Sequence, residues 1–228
     1  PQSMWVEYSP LTNTNQRNGL NSAFGGNWMP VHTIGEASVV VSLDDDFLGS
    51  GPMQVPNTRG WAKGRKVNHG NISRVWIAEP SLSVTGAKAD ERNAMNPAAV
   101  ATLATYIAKK IAHVDIAIDG APSLTAEQHA WADKIVADLH HAGKHGLVLA
   151  GASQPASVHY LVARVNEVLG AVGTTVSYRT VDGDSNNTIT DLANALNNGS
   201  IEGVVILGGN PAFDAPSDLN LASAIKAL

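Results

Sequence analysis

Short runs of β-branched apolar residues, each followed by a turn, constrain the fold of this chain more than any other feature. Residues 204–207 (Val-Val-Ile-Leu) precede Gly-Gly-Asn-Pro at 208–211, and residues 39–41 (Val-Val-Val) begin a run that leads into Asp-Asp-Asp at 44–46. Such runs are typical of buried parallel strands. In open α/β sheets, ligands bind outside the carboxyl ends of the strands. The sequence therefore predicts that one ligand-facing arrangement is built twice.

Strands and helices alternate along the sequence. We predict strands at residues 4–8, 38–43, 74–78, 146–150, 174–179 and 203–207. We predict helices at residues 15–24, 59–66, 97–111, 125–141, 155–169, 188–197 and 219–228. This alternation indicates βαβ units with parallel strands and right-handed crossovers. The predicted fold class is α/β, with two Rossmann-like parallel-sheet domains flanked by helices.

Residues 119–123 (Asp-Gly-Ala-Pro-Ser) are the best candidate for a domain boundary, because they are polar and contain both glycine and proline. A new helix follows, with Thr125 as its N-cap and Gln128 completing a capping box. We therefore predict a first domain at 1–116 and a second at 117–228. Each would have roughly 110 residues, enough to bury a core of its own.

Composition excludes several classes of protein. The net charge of −5 argues against a nucleic-acid surface, which needs clustered Lys and Arg. No apolar run approaches the roughly 18 residues of a membrane span. The chain contains no cysteine, so it holds no disulfide, no Cys-ligated zinc and no iron–sulfur cluster of its own.

Both ends of the sequence suggest a piece of a longer polypeptide. It begins Pro-Gln-Ser and ends within a segment of helical periodicity that has neither a Gly cap nor a trailing Pro. The apolar stripe of that segment consists of Leu219, Leu221, Ala222, Ile225 and Leu228. We expect this stripe to be covered by other subunits or by parts of the polypeptide outside this sequence, and we expect the chain alone to self-associate through it or to leave the helix frayed.

The three aspartates at 44–46 resemble the Asp-x-Asp loop of haloacid-dehalogenase-like phosphatases, in which an aspartate nucleophile works with Mg²⁺. However, Phe47 and Leu48 follow where polar residues would be expected, and no later pair of carboxylates completes the site. The alternative is a loop at the end of a strand, whose acids cap turns or contact a ligand hydroxyl.

Residues 151–155 (Gly-Ala-Ser-Gln-Pro) imitate the Gly-x-Ser-x-Gly nucleophile elbow. Pro155 replaces the second glycine, so we favour a helix start in which Ser153 or Gln154 is the N-cap.

Three histidines, His140, His141 and His145, suggest a metal cluster. Gly143 and Gly146 predict that the helix ends there, and histidines in a last helical turn interact favourably with the helix dipole without any metal.

Residues 85–90 (Thr-Gly-Ala-Lys-Ala-Asp) lie in a polar loop of about sixteen residues, 81–96, and loops of that length are often functional. The alternative is a solvated surface loop.

The order of these segments resembles the molybdopterin oxidoreductase superfamily, the dimethyl-sulfoxide-reductase-like enzymes. Their large subunits have a strand ending in Asp-Pro, a Thr-Ala loop ending in Ala-Asp, and an Arg-Pro-Gly-Thr-Asp turn into a helix. Here Trp-Ile-Ala-Glu-Pro at 76–80, the segment at 85–90 and Met-Asn-Pro at 95–97 follow that order. The later Gly-rich turns and Gly-Gly-Asn-Pro loop are similar to 151–173 and 208–211, so the resemblance covers nearly the whole chain.

Three segments are most similar to one branch of the superfamily, the iron–sulfur and molybdopterin-like B subunits of bacterial alternative complex III. They are residues 42–52, 79–90 and 208–218. The resemblance implies the middle-domain fold of formate dehydrogenase and dimethyl sulfoxide reductase, retained without molybdenum. It implies a non-catalytic part of an oxidoreductase that oxidises quinol, peripheral to the periplasmic face of the bacterial inner membrane. Its partners would be the iron–sulfur part of its own polypeptide and other subunits.

The chain departs from the cofactor-binding pattern at one position. The Gly-Thr-Asp that contacts guanine in relatives is Ala98-Ala99-Val100 here, and the lost carboxylate removes charge-assisted hydrogen bonds. The alternative function is the cofactor-holding middle of a true molybdenum enzyme that binds molybdopterin guanine dinucleotide. In that case the resemblance places the cofactor contacts on Glu79, Thr85, Asp90, Gly208, Gly209 and Asn210. Neither function assigns a catalytic residue or a metal ligand.

Overall fold

The computed structural model describes residues 3–66, 72–181 and 187–228. The chain divides into two compact units. The larger unit is Asn13–Thr180, and the smaller unit combines Pro1–Thr12 with Val181–Leu228. Each unit has its own cluster of buried apolar side chains, and each is therefore described by itself.

Six strands and nine helices are formed by the described residues. The strands are β1 (Trp28–His32), β2 (Val39–Leu43), β3 (Arg74–Glu79), β4 (Glu91–Ala94), β5 (Gly146–Ala150) and β6 (Val176–Thr180). The helices are α1 (Thr14–Phe24), α2 (Gln54–Gly64), α3 (Val84–Lys88), α4 (Pro97–Ile111), α5 (Ala126–Ala142), α6 (Ala156–Val168), α7 (Ile189–Asn197), α8 (Pro211–Asp214) and α9 (Leu221–Lys226).

A four-stranded parallel sheet forms the centre of the larger unit, and its strand order is β4-β3-β2-β5. Helices α4, α5 and α6 pack against it. Every residue of β2 and β5 is buried, which agrees with their continuous apolar sequences. The predicted α/β class is confirmed, with a parallel sheet flanked by helices that is compatible with a Rossmann-like fold.

The strand order reverses direction at β2. The chain runs outward from β2 to β3 and β4, and it then returns to pair β5 with the other side of β2. In open α/β sheets this reversal opens a crevice outside the carboxyl ends of the two strands, which is where ligands bind. A ligand site in this unit is therefore expected at the loops that follow β2 and β5.

The outer edge of β5 is closed by the side chain of Asn166 rather than by another strand. Its amide donates to the Val148 carbonyl and accepts from the Val148 N–H, both at 2.9 Å. The Thr175 hydroxyl donates to the Gly146 carbonyl at 2.8 Å. An edge strand leaves unpaired backbone groups, which are costly when buried. Asn166, itself 1% exposed, replaces part of the missing strand.

The parallel sheet takes strands from both sides of residue 116, whereas the sequence predicts one such sheet on each side. β5 pairs with β2 over the full length of both strands. The Gly/Pro segment at 119–123 connects α4 to α5, and both of these helices pack on that one sheet. This Gly/Pro segment therefore connects two helices inside the larger unit.

The strand predicted at 174–179 is present as β6, but it lies outside the parallel sheet. It pairs antiparallel with β1 in a two-stranded ribbon, with Trp28 opposite Thr180. The predicted loop at 81–96 is also wrong in part, because it contains α3 and β4. β4 was missed because it is a polar edge strand without a buried apolar face.

In the smaller unit, α7 and α9 pack together around a small apolar cluster that includes Ala193, Leu196 and Leu221. Leu221 is 2% exposed, and Leu219 and Ile225 pack against the same cluster, whereas Ala222 and Leu228 are exposed, so the unit covers part of the stripe by itself. The expectation that an outside partner must cover this stripe is wrong for Leu221, because the unit uses it in its own core.

Neither strand predicted in the smaller unit forms a ladder. Residues 4–8 make one isolated parallel bridge, between Val6 and Asn187. Residues 203–207 are neither helical nor in a sheet, and Val205 and Leu207 are 85% and 74% exposed. The prediction of a buried strand at 203–207 is therefore wrong. A strand needs a neighbouring strand to satisfy its backbone, and the described residues of this unit provide none.

Nine α-helices are formed by residues 3–66, 72–181 and 187–228. None of them has both the length and the apolar character needed to cross a membrane.

Candidate functional site

The loops after β2 and β5 touch each other at the carboxyl edge of the sheet. The Gly151 N–H donates to the Leu43 carbonyl at 2.9 Å. A Cβ on Gly151 would lie 1.9 Å from the backbone oxygen of Asp44, so only glycine fits. Asp44 itself has a φ of 61°, a left-handed conformation that Asp tolerates better than most residues. The two strand ends are therefore held together by backbone geometry.

The Asp44 carboxylate connects the two loops. One of its oxygens accepts hydrogen bonds from the Ser153 hydroxyl and from the Gln154 amide, both at 3.1 Å. The predicted N-cap role of Ser153 or Gln154 is wrong, because Pro155 is the N-cap of α6 and no side chain caps that helix. Ser153 donates to a carboxylate, whereas the serine of a nucleophile elbow donates to the histidine of a catalytic triad. The contact therefore supports a loop-bracing role.

Asp46 and Thr85 form a second connection across the same edge. One Asp46 oxygen accepts from both the N–H and the hydroxyl of Thr85, at 2.8 and 2.7 Å. The Thr85 hydroxyl in turn accepts from the Leu48 N–H at 3.0 Å. Thr85 is completely buried, so this candidate cofactor contact is occupied within the chain.

Glu79 ends β3 beside Thr85, and it is buried with an exposure of 2%. It forms an ion pair with Arg92 at 2.5 Å and accepts from the Ser83 N–H. A Cβ on Gly86 would lie 1.9 Å from the Glu79 carboxylate, so the loop closes tightly over that group. The structure thus brings Glu79 and Thr85 together at the predicted edge.

Asp90 lies at the opposite end of β3. It accepts from the Val75 N–H at 2.8 Å and receives paired hydrogen bonds from the Arg65 guanidinium. Burial alone would raise the pKa of Asp90, but the bonds from Arg65 and Val75 hold it below its usual value. The segment between Thr85 and Asp90 runs back along the sheet as α3, so two candidate contacts from one loop end at opposite edges.

Gly208, Gly209 and Asn210 belong to the smaller unit. Gly209 and Asn210 line a groove of about 790 Å³ between residues 3–10 and residues 189–214. This volume lies within the range of small-molecule and peptide sites. Among the described lining residues, the side chains charged at neutral pH are all acidic, Glu7, Glu202 and Asp214. The sequence could not reveal this groove, because its two walls are far apart along the chain.

Two histidines line a buried cavity of about 20 Å³ in the larger unit, which is room for a single water molecule. Burial lowers the pKa of both His32 and His159 to about 4, so both are neutral near pH 7. The Nε2 atom of His159 has no hydrogen-bond partner. The sequence does not predict that these two histidines lie together, because His32 is on β1 and His159 is on α6, far apart along the chain.

The three histidines at the end of α5 do not gather into a site. His145 bonds through Nδ1 to the Glu36 carbonyl, while Gly143 ends the helix with a φ of 53°. Over residues 3–66, 72–181 and 187–228, no three His, Asp or Glu side chains are placed to hold one metal ion. The three aspartates at 44–46 are among these residues, and they are not placed to hold a metal ion together.

Comparison with known proteins does not extend this description. No protein-family model matches the chain, and no curated protein gives a significant match.

Asp45 gives a pH-dependent prediction. Burial, together with the like charges of Asp46 and Asp44, raises its pKa to about 7. In the unfolded chain the Asp45 carboxyl loses its proton near pH 3.8. Between about pH 4 and about pH 7 the folded state therefore binds more protons than the unfolded state, and stability falls as pH rises. The Asp45→Asn variant should therefore lose less stability over this interval and melt several degrees higher than wild type above pH 7.

Thermal unfolding followed across this pH interval measures the effect. His32 and His159 contribute the opposite slope, and they do so equally in both proteins, so the difference between the two curves isolates Asp45. Asp119→Asn, which removes an exposed carboxylate of the same unit, is the control. Parallel curves for wild type and Asp45→Asn would show that Asp45 does not titrate abnormally.

Proposed function

We propose that this chain is a structural, cofactor-free α/β module of a respiratory electron-transfer complex that oxidises quinol. In this proposal it is a peripheral part of the complex at the periplasmic face of a bacterial inner membrane. Its partners are the iron–sulfur part of its own polypeptide and the other subunits. The chain supplies a folded scaffold and no redox centre.

One observation carries the proposal. The segment that would present a carboxylate to guanine in cofactor-binding relatives is Ala98-Ala99-Val100, the first turn of α4. Ala98 is exposed, but Ala99 is 6% exposed and Val100, at the position of the lost carboxylate, is fully buried and faces the core. A bound guanine would find apolar side chains here, and an unpaired donor costs about 1–3 kcal/mol.

The remaining candidate contacts of the larger unit support the same conclusion. Glu79 is paired with Arg92, Thr85 with Asp46, and Asp90 with Arg65. A cofactor would have to break these contacts before it could use the side chains. The alternative, a cofactor-holding middle domain of a molybdenum enzyme, is favoured only by the groove beside Gly209 and Asn210, which is large enough for a nucleotide.

The test is a titration of the purified chain with guanosine diphosphate, the nucleotide half of the cofactor, followed by isothermal calorimetry. Elemental analysis for molybdenum and fluorescence of oxidised pterin complete the measurement. We expect no saturable heat and neither signal. Val100→Asp is no substitute for this test, because a buried carboxylate in the core would unfold the helix. Stoichiometric pterin or nucleotide binding would instead establish the molybdenum-enzyme alternative.

A further inference from the structure

We propose that the groove of the smaller unit binds an extended, basic peptide segment of a partner polypeptide, which pairs with residues 203–207 as an added β-strand. The inference rests on the proposed function, because it names the kind of partner that such a module would engage. The groove is defined by residues 3–10 and 189–214.

The first observation is the unpaired backbone of the segment. Within the described part of the chain, the N–H and C=O groups of residues 201–209 make no hydrogen bond to other backbone groups. The sequence here is Val-Val-Ile-Leu, which strongly favours a strand. An extended peptide that adds itself to such a segment gains main-chain hydrogen bonds along its length. The segment thus has the composition of a strand and lacks only the neighbour.

The second observation is the apolar surface of the unit. Val205, Leu207 and Trp5 line the groove and are 85%, 74% and 58% exposed. Large exposed apolar side chains that line a groove are typical of interaction sites in soluble proteins. Side chains that alternate along an added strand would contact this surface, and specificity would come from those contacts.

The third observation is charge, and it identifies the occupant. In the described residues the smaller unit has five carboxylates and a single cationic side chain, Lys226. The carboxylates are Glu7, Asp191, Glu202, Asp214 and Asp218. Glu7, Glu202 and Asp214 line the groove itself. Complementary charge steers association and selects a partner, so the bound segment should carry Lys or Arg. A second copy of this chain would oppose like charges across the same surface.

The experiment uses the whole chain and an acetylated, amidated peptide of alternating lysine and valine, titrated by isothermal calorimetry. The matching peptide of alternating glutamate and valine is the charge control. The lysine peptide with N-methyl groups on alternate residues is the backbone control, because it lacks the N–H donors that an added strand needs. We expect saturable binding of the lysine peptide, and binding at least about tenfold weaker for either control.

Variants of the protein locate the site. Glu202→Gln with Asp214→Asn should weaken binding of the lysine peptide roughly fivefold, as should raising the salt from about 0.02 M to about 0.3 M. Leu207→Ser should weaken it as well. All three side chains are exposed, so these variants should melt like wild type. Asp119→Asn with Glu127→Gln, two exposed carboxylates of the larger unit, should leave binding unchanged.

The outcomes separate this inference from the proposed function. Binding of the lysine peptide that guanosine diphosphate does not affect supports the inference. Absence of peptide binding, equal binding of the glutamate peptide, or a dimer of the chain that the Leu207→Ser variant dissociates would each overturn it, whatever the nucleotide does. Displacement of the peptide by guanosine diphosphate would show that the groove is a nucleotide site, which also overturns the cofactor-free function. Nucleotide binding without displacement would overturn that function alone.

Discussion

Replacing Gly151 by alanine should lower the free energy of unfolding by about 3 kcal/mol, one of the two largest effects that we expect from a single substitution. The new methyl group would lie 1.9 Å from the Asp44 backbone oxygen. That oxygen belongs to main chain and cannot rotate away as a side chain can, so the ends of β2 and β5 must separate. Urea unfolding followed by circular dichroism measures the change.

Gly51→Ala is the matched control. Gly51 lies in the loop that follows β2, and a Cβ there would meet no atom within 4 Å. We expect this variant to unfold within about 0.5 kcal/mol of wild type. If Gly151→Ala were equally harmless, the loops after β2 and β5 could not be in the close contact described, and the crevice at the sheet edge would have a different shape.

Replacing Asn166 by leucine should cost roughly 2–6 kcal/mol, because it leaves a buried N–H and a buried C=O of Val148 without partners, at about 1–3 kcal/mol each. The two side chains have the same number of heavy atoms and leucine is the bulkier, so no cavity is created and lost hydrogen bonds, together with some overpacking, would cause the effect. Denaturant unfolding at constant slope would show a change in stability without a change in the surface exposed on unfolding.

Two further variants separate the causes of this effect. Asn18→Leu makes the same exchange at an exposed position of α1 and should change stability by at most about 0.5 kcal/mol. Asn166→Asp keeps an acceptor for the Val148 N–H but loses the donor to its carbonyl, so it should also be destabilised. Wild-type stability of Asn166→Leu would mean that water or another group closes the edge of β5.

Local sequence signals predicted the elements whose cause is local. Thr125 and Gln128 form the capping box expected of them, and both reciprocal hydrogen bonds are present. β2 and β5 follow from continuous apolar runs, because a strand buried on both faces has no polar side to show. Residues 203–207 have the same composition and form no strand, since composition cannot say whether a neighbouring strand exists.

The candidate site was predictable only in part, for a similar reason. The expectation that acids after β2 would lie at the carboxyl edge is confirmed by Asp44 and Asp46, whose positions follow from the strand before them. Their partners Ser153 and Thr85 come from other loops, and no local pattern pairs them. The resemblance implies that Thr85 and Asp90 would contact one cofactor, but α3 carries the chain back along the sheet and Asp90 lies at the opposite end of β3.

The strand order also determines when the sheet can be completed. β2 is made early, and its partner β5 follows only after more than a hundred further residues, as the contact between Ser38 and His145 spans 107 positions. Contacts of such long separation are slow to form, and partly made sheets expose strand edges meanwhile. During synthesis the Val-rich edge of β2 that pairs with β5 remains unpaired until β5 has been made. We therefore expect the yield of folded protein to depend on slow translation and low temperature, more than its final stability would suggest.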